Sequence, residues 1–350
     1  MSDTKNEKPV KPGTAAPLLL LGSSPHIASP VSSGRIMACV LVSLAPAAFF
    51  GIILYGLPAL FTIIASIAGA ELGEFLFRKI TGQAPRNGDL SAAVTGLLLA
   101  LILPPATPLW MTALGAFFAI IIAKEFFGGL GANVFNPALV GRAFLLMSFP
   151  KALTSWTAPR ISIVKVTADV LSGATSAADA LSGPTPMAII KSGGVLDSLG
   201  SGKAEILKTL FFGTHSGSIG ESSILAILIG FVFLLVIRVI DWRTPVFMLA
   251  TVALLSFFLG RDPLIAVLGG GVFFGAVFMA TDYVTSPFGG AGKIIFGCGA
   301  GIIIVLIRQW GAYPEGVTYA ILIMNAVTPF LNRILPKKYG FVKPVKGVNK

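Results

Sequence analysis

Two near-copies of one short pattern carry the strongest chemical signal in this chain. Asp169-Val-Leu-Ser-Gly-Ala-Thr175 is followed ten residues later by Asp179-Ala-Leu-Ser-Gly-Pro-Thr185. The second copy continues Pro186-Met187-Ala188-Ile189-Ile190-Lys191. Ser-Gly-x-Thr presents a threonine hydroxyl on flexible backbone, because glycine reaches conformations that other residues resist. An aspartate ahead of it can accept a proton or orient a metal-bound donor. Asp179, Ser182, Gly183 and Thr185 therefore suit a threonine that is itself modified. Read alone, the same residues also make an ordinary Gly/Ser-rich turn.

A second group of polar residues lies among apolar runs. Asn133-Val-Phe-Asn136-Pro137 follows the turn Gly128-Gly129-Leu130-Gly131. Proline is well tolerated at a helix start, so one reading is a cap on the next helix. In the other, Asn133 and Asn136 offer polar contacts to a ligand or a partner subunit. The stretch from Thr281 to Gly292 reads as the matching turn of the second half, and holds Asp282. Arg142, between Gly141 and Ala143, suits a phosphate or a carboxylate; pairing with Glu125 or a snorkelling head are its other readings. Glu71, Glu74, Lys124 and Glu125 also fall at membrane depth, where Lys124 and Glu125 can neutralise each other. A charge near a bilayer centre costs about 2.5–3.5 kcal/mol on insertion scales, so each needs a partner or a purpose.

Several chemistries are excluded within this chain. Cys39 and Cys298 are the only cysteines and form no CxxC pair, so four thiolates for zinc or an iron–sulfur cluster are not available. His26 and His215 are the only histidines. No metal site and no catalytic side chain is expected.

The elements that must position these residues are membrane spans. Of 350 residues, 55% are hydrophobic and 12% charged, where soluble domains average about 25% charged. Mean hydropathy is +0.86. The apolar residues gather in runs that a water-soluble core cannot hide and a bilayer can. Ten spans are expected, at about 37–55, 57–73, 90–103, 108–124, 134–149, 224–240, 245–260, 263–280, 294–308 and 316–335. The third stops early, at Leu103-Pro104-Pro105, and must be tilted, re-entrant or broken.

Basic residues orient the spans. With the N-terminus inside, the inner segments hold seventeen Lys and Arg, from Lys5 to Lys350, and the short outer connections hold only Arg261 and Arg308. Both termini are then cytoplasmic, and the net charge of +11 calls for no nucleic acid. Residues 150–222 form a long outer connection, a length at which loops are usually functional or disordered. The expected organisation is a tail at 1–35, a five-span half at 36–149, the outer loop at 150–222, a second five-span half at 223–335 and a basic tail at 336–350. An internal match supports two halves. Thr95, Pro104, Pro108-Leu109, Leu114-Gly115 and Phe117-Phe118 answer to Thr251, Gly260, Pro263-Leu264, Leu268-Gly269 and Phe273-Phe274. Five spans per half, an odd number, inverts the second half in the membrane, a common way to build a polar site near the midplane. The fold class expected is an all-α polytopic membrane protein with an inverted 5+5 repeat.

Taken together, the chain resembles the D subunit of the Rnf-type ion-translocating electron-transfer complex, and more distantly the B subunit of the sodium-pumping NADH:quinone reductase. The resembling stretches are Ser24-Pro25-His26-Ile27, Ser33-Gly34-Arg35-Ile36-Met37, Gly128 to Ala138, Thr281-Asp282-Tyr283-Val284-Thr285-Ser286-Pro287 and Gly311-Ala312-Tyr313-Pro314-Glu315-Gly316. The resemblance implies FMN held by a phosphoester on a loop threonine, attached by a flavin transferase outside the cytoplasm. Thr185 has the downstream Pro186-Met187 and Lys191 but carries Pro184 where the family pattern has Ala. Thr175 has the Ala and lacks the Pro-Leu that should follow. Thr185 is the preferred site and Thr175 the alternative. The resemblance further implies that Asn133, Asn136, Arg142 and Asp282 contact flavin, and it allows a second, non-covalent flavin. It implies an assembly with other membrane and peripheral subunits, including iron–sulfur and NAD-binding ones. That assembly would pass electrons between ferredoxin and NAD while moving Na⁺ or H⁺ across a bacterial inner membrane. A B-type quinone-reductase subunit and an inverted-repeat channel or secondary transporter are the other readings.

Overall fold

The computed structural model describes residues 32–84, 88–160, 185–191, 202–311 and 316–334. The described residues form helices and no strand. The first half holds α1 (Ser33–Tyr55), α2 (Leu57–Thr81), α3 (Ser91–Ile102), α4 (Leu109–Ala123) and α5 (Pro137–Ser148). Short helices follow, α6 (Pro150–Thr154), α7 (Pro186–Lys191) and α8 (Lys203–Phe212). The second half holds α9 (Ile224–Val236), α10 (Arg243–Phe258), α11 (Pro263–Leu268), α12 (Val272–Phe274, continued by a π-helical turn Gly275–Met279), α13 (Gly290–Trp310) and α14 (Val317–Ile334).

Each of the ten expected spans contains helix. The segments Ser33–Tyr55, Leu57–Thr81, Leu109–Phe127 and Gly290–Trp310 are long and apolar enough to cross a membrane. Large apolar side chains such as Phe49, Phe61, Leu254 and Phe257 remain exposed on the bundle's flank, the surface that lipid covers. Trp110 and Trp310 stand exposed at one end and Trp242 at the other, where amphipathic rings meet the interface. This is a multi-pass helical membrane protein.

Packing relates the halves by five spans. The broad contact of α2 on α4 is repeated by α10 on α13, α4 on α5 by α13 on α14, and α2 on α3 by α10 on α11. Glycine brings the backbones together in both: a Cβ on Gly69 would sit 2.5 Å from the Ala113 carbonyl oxygen, and one on Gly301 2.9 Å from that of Met248. Between the halves, α1 packs on α9 and α5 on α14. This corrects the register of the sequence match. Thr95 lies in span three and Thr251 in span seven, four apart and so parallel, whereas the packing pairs span three with span eight. Likewise the turn at 281–292 joins spans eight and nine and is not the counterpart of the Asn133–Asn136 turn, which joins spans four and five.

Two helices are interrupted, each for a readable reason. The twelve residues of α3 rise only about 18 Å, short of a hydrocarbon core of about 30 Å. Beyond Leu103 the Pro104-Pro105 pair stops the helix, and the end of the outer loop takes over. Residues 217–224 are all buried. The Ile219 N–H donates to the Leu103 carbonyl (3.2 Å) and the Gly220 N–H to that of Leu101 (2.7 Å). Irregular backbone survives at membrane depth only where protein covers it, and here it closes one end between the halves. In span eight, Gly270 and Gly271 both adopt φ +66°, a left-handed conformation that favours glycine, and separate α11 from α12. The Arg308 guanidinium satisfies the carbonyls left over, donating to Ala266 (2.6 Å), Gly269 (2.9 Å) and Gly270 (3.2 Å).

Candidate functional site

At one end of the bundle, Thr185 heads α7, its carbonyl accepting from the Ile189 N–H at 3.1 Å. Thr185 is 2% exposed. Met187, on the first turn, packs onto the span-eight break: its Cγ lies 2.6 Å from where a Gly270 Cβ would sit. At the far end of α7, the Lys191 ammonium donates to the Gly311 carbonyl (2.6 Å). The short helix is thus tied down over spans eight and nine. Beneath it lies a cleft of about 160 Å³, lined by Met187, Ile190, Ser256, Asp262, Arg308 and Gln309 among others. Thr175, Asp179, Ser182 and Gly183 lie outside the described residues.

Arg142 belongs to this same end. It pairs with Glu221 at 3.2 Å, not with Glu125, and the Glu221 carboxyl presses against the backbone of Gly271. Glu221 sits in the buried segment that closes the halves. There the Tyr55 hydroxyl bonds the Ser222 hydroxyl (2.8 Å) and donates to the His215 carbonyl (3.2 Å). The Nε2 of His215 and the hydroxyl of Ser218 are buried with no hydrogen-bond partner among the described residues. Burial lowers the His215 pKa, partly countered by hydrogen bonds with backbone of Ser216 and Ser222.

The opposite end holds a cavity of about 80 Å³ between the halves. Asn133, Asn136 and Asp282 all line it, with Ser91, Thr95 and Lys124. Asn136 does cap α5, its Oδ1 accepting from the Ala138 N–H at 3.1 Å, and it faces the cavity as well. The Asn133 amide donates to Phe135 (3.2 Å), while its Oδ1 is buried without a partner among the described residues. Asp282 accepts from the Val284 N–H (3.2 Å) and the Thr285 hydroxyl (3.1 Å). The wall at Lys124 is an ion-pair network: Lys124 donates to Glu74 (2.6 Å) and Ser91 (2.5 Å), and Arg78 lies 3.4 Å from Glu74 and 3.3 Å from Glu125. Lys124 and Glu125, expected to neutralise each other, are 3.9 Å apart; each has a closer partner.

The residues expected around a flavin therefore divide between two places. Thr185 and Arg142 lie at one end, and Asn133, Asn136 and Asp282 at the other. The sequence alone does not single out Glu221, Arg308 or Gln309. A charge at the end of an apolar run is the one signal for Arg308, which lies within α13 and not in an outer connection. No group of ionisable side chains suited to a metal ion occurs among the described residues.

Fold and site together define a polytopic helical membrane protein with a small, mainly apolar cavity at each end of the bundle, one of them covered by a threonine-headed helix. The chain belongs to the NQR2, RnfD, RnfE family, which it matches over residues 20–340. It is 41% identical to the D subunit of the proton-translocating ferredoxin:NAD⁺ oxidoreductase complex of Clostridium ljungdahlii, over 92% of this chain and 96% of that one. It is 39% identical to the Na⁺-translocating counterpart of Acetobacterium woodii, over 93% and 96%. Against the D subunit of the ion-translocating oxidoreductase complex of Stutzerimonas stutzeri the identity is 38%, over 88% and 92%.

Proposed function

We propose that this chain is a membrane subunit of an ion-translocating ferredoxin:NAD oxidoreductase complex and carries FMN by a phosphoester on Thr185. The assembly couples electron passage between ferredoxin and NAD to movement of Na⁺ or H⁺. Family membership and the names of the relatives support the first part. One observation supports the second: the threonine whose downstream residues fit the family pattern heads a helix tied down over spans eight and nine. The residues fit the group. A phosphoester asks the chain for one hydroxyl oxygen, and two arginines, the half-buried Arg142 and the buried Arg308, flank the glycine break that α7 covers.

FMN, when bound, supplies an electron-accepting ring. The chain's part is to tether and bury that ring. It carries no nicotinamide fingerprint and no iron–sulfur ligands, so peripheral subunits bring both, and a flavin transferase makes the attachment. In this reading the protein lies in a bacterial inner membrane with both termini cytoplasmic, which puts Thr185 on the transferase's side.

The test is flavin fluorescence of the denatured protein on a gel after co-expression with a transferase. Thr185→Ala is expected to abolish the fluorescent band, and Thr175→Ala to leave it. A fluorescent Thr185→Ala band that Thr175→Ala removes would move the site to the first copy. A dark wild-type band would favour the transporter reading.

A further inference from the structure

At the end of the bundle that carries Asp282, two connections enclose a further cavity of about 190 Å³. One joins spans six and seven, the other spans eight and nine. Its lining includes Asp241, Thr244, Tyr283, Ser286, Phe288 and Lys293. A single water needs about 10–15 Å³, so a larger group fits. Ser286 is only 6% exposed. Its hydroxyl faces this cavity and has no hydrogen-bond partner among the described residues.

Charge gathers at the same place and does not cancel. The Asp241 Oδ2 accepts from both the Arg243 guanidinium and the Lys293 ammonium, each at 3.2 Å. Two cations share one carboxylate, so one positive charge is left over. The start of α13 adds to it. Gly289 brings no side chain to cap the first-turn N–H groups, and the Arg243 Nη1 lies 2.8 Å from where a Gly290 Cβ would sit. A helix start carries about half a positive charge, so this corner calls for more negative charge than Asp241 supplies. Its rim is apolar and faces outward: Phe288 is 80% exposed and Trp242 51%, with the Arg243 guanidinium 5.8 Å from the Trp242 ring centroid. Such rings at a span end stand at the level of lipid headgroups. We propose that the cavity holds the phosphate of an anionic phospholipid, with Lys293 as its ion-pair partner, the Ser286 hydroxyl donating to it and the acyl chains running past Trp242 and Phe288. A lipid phosphate supplies the missing charge and occupies the free hydroxyl together. This site depends on neither the flavin tether nor the orientation of the chain, since both leaflets present phosphate.

Native mass spectrometry of the full chain, released from a non-ionic detergent, counts the bound lipid. Phosphatidylglycerol is expected to bind at least about 10-fold more tightly than phosphatidylcholine, whose own ammonium cancels the charge of its phosphate. Ser286→Ala breaks no hydrogen bond in the lipid-free fold. It should weaken phosphatidylglycerol binding about 10-fold, the worth of one hydrogen bond to a charged group. Lys293→Gln should weaken it at least as much. Lys208→Gln removes a positive charge from exposed α8 at the other end and should leave binding unchanged. Equal binding of the two lipids overturns the site. So does phosphatidylglycerol binding that Ser286→Ala leaves intact, whatever Lys293→Gln does. Inorganic phosphate that displaces the lipid at matching concentration would make the occupant a soluble anion and overturn the lipid assignment.

Discussion

At the scale of single residues, His215 shows how burial sets a charge. Its imidazole is held by the buried outer segment, with the hydroxyls of Tyr55, Ser218 and Ser222 and the Arg142–Glu221 pair on the same segment or against it. Burial leads in lowering its pKa below the ordinary 6.5. Between that lowered value and 6.5 the unfolded chain binds more protons than the folded one, so stability rises with pH across the window and is flat above it. Thermal unfolding of the purified protein, followed between about pH 5 and 8, should show a melting temperature that falls on acidification below 6.5. His215→Gln should flatten that limb. An unchanged acid limb in His215→Gln would mean that other groups set it. Thr185 illustrates the opposite relation between sequence and structure. The modification proposed for it rests on its neighbours in the chain, while its place at the head of a tied-down helix shows only in the fold. Gln309 was not legible: nothing beside it in sequence distinguishes a cleft-lining glutamine from one at a helix end in water.

At the scale of elements, charged residues staple helices that apolar contact alone would let slide. Glu74 and Arg78 come from α2, Ser91 from the start of α3, and Lys124 and Glu125 from the end of α4. Lys124 is 2% exposed, so its carboxylate partners are out of water. Removing one member of such a buried pair costs about 3–5 kcal/mol, because the other charge is stranded. Lys124→Met should therefore lower the melting temperature sharply, and Glu74→Gln in the same chain should recover part of the loss. If the double variant were no more stable than Lys124→Met, the pair would not be the staple. That these residues needed partners was readable from charges inside apolar runs; which partners was not, since pairing depends on how α2, α3 and α4 cross. The same limit explains the repeat. Short Gly and Phe matches fit many pairs of apolar helices, so span three aligned with span seven. Only helix-on-helix contact reveals that α2 with α4 is answered by α10 with α13. The break in span eight was partly visible as Gly269-Gly270-Gly271, but its clamp was not, because Arg308 bonds backbone carbonyls that are free only once the glycines unwind.

At the scale of the whole molecule, orientation decides what the two cavities can meet. The proposed orientation, with the Lys- and Arg-rich segments inside, turns the Asn133–Asp282 cavity toward the cytoplasm and the α7 cleft toward the outer face. The placement of the elements agrees: α7, α8 and the buried segment at 217–224 gather at one end of the bundle, and the Glu74–Lys124 network and Asp282 at the other. A ring tethered at Thr185 and a ligand between Asn133 and Asp282 would then stand on opposite sides of one interface, an arrangement suited to moving electrons across the membrane rather than along it. Single cysteines test this directly. With Cys39 and Cys298 replaced by Ala, Lys208→Cys on exposed α8 should react with a membrane-impermeant maleimide on intact cells. Thr81→Cys, exposed at the end of α2, should react only after lysis. The reverse pattern would place α7 in the cytosol, out of reach of an extracytoplasmic transferase, and would remove the basis for flavin on Thr185 whatever the shape of the cleft beneath it.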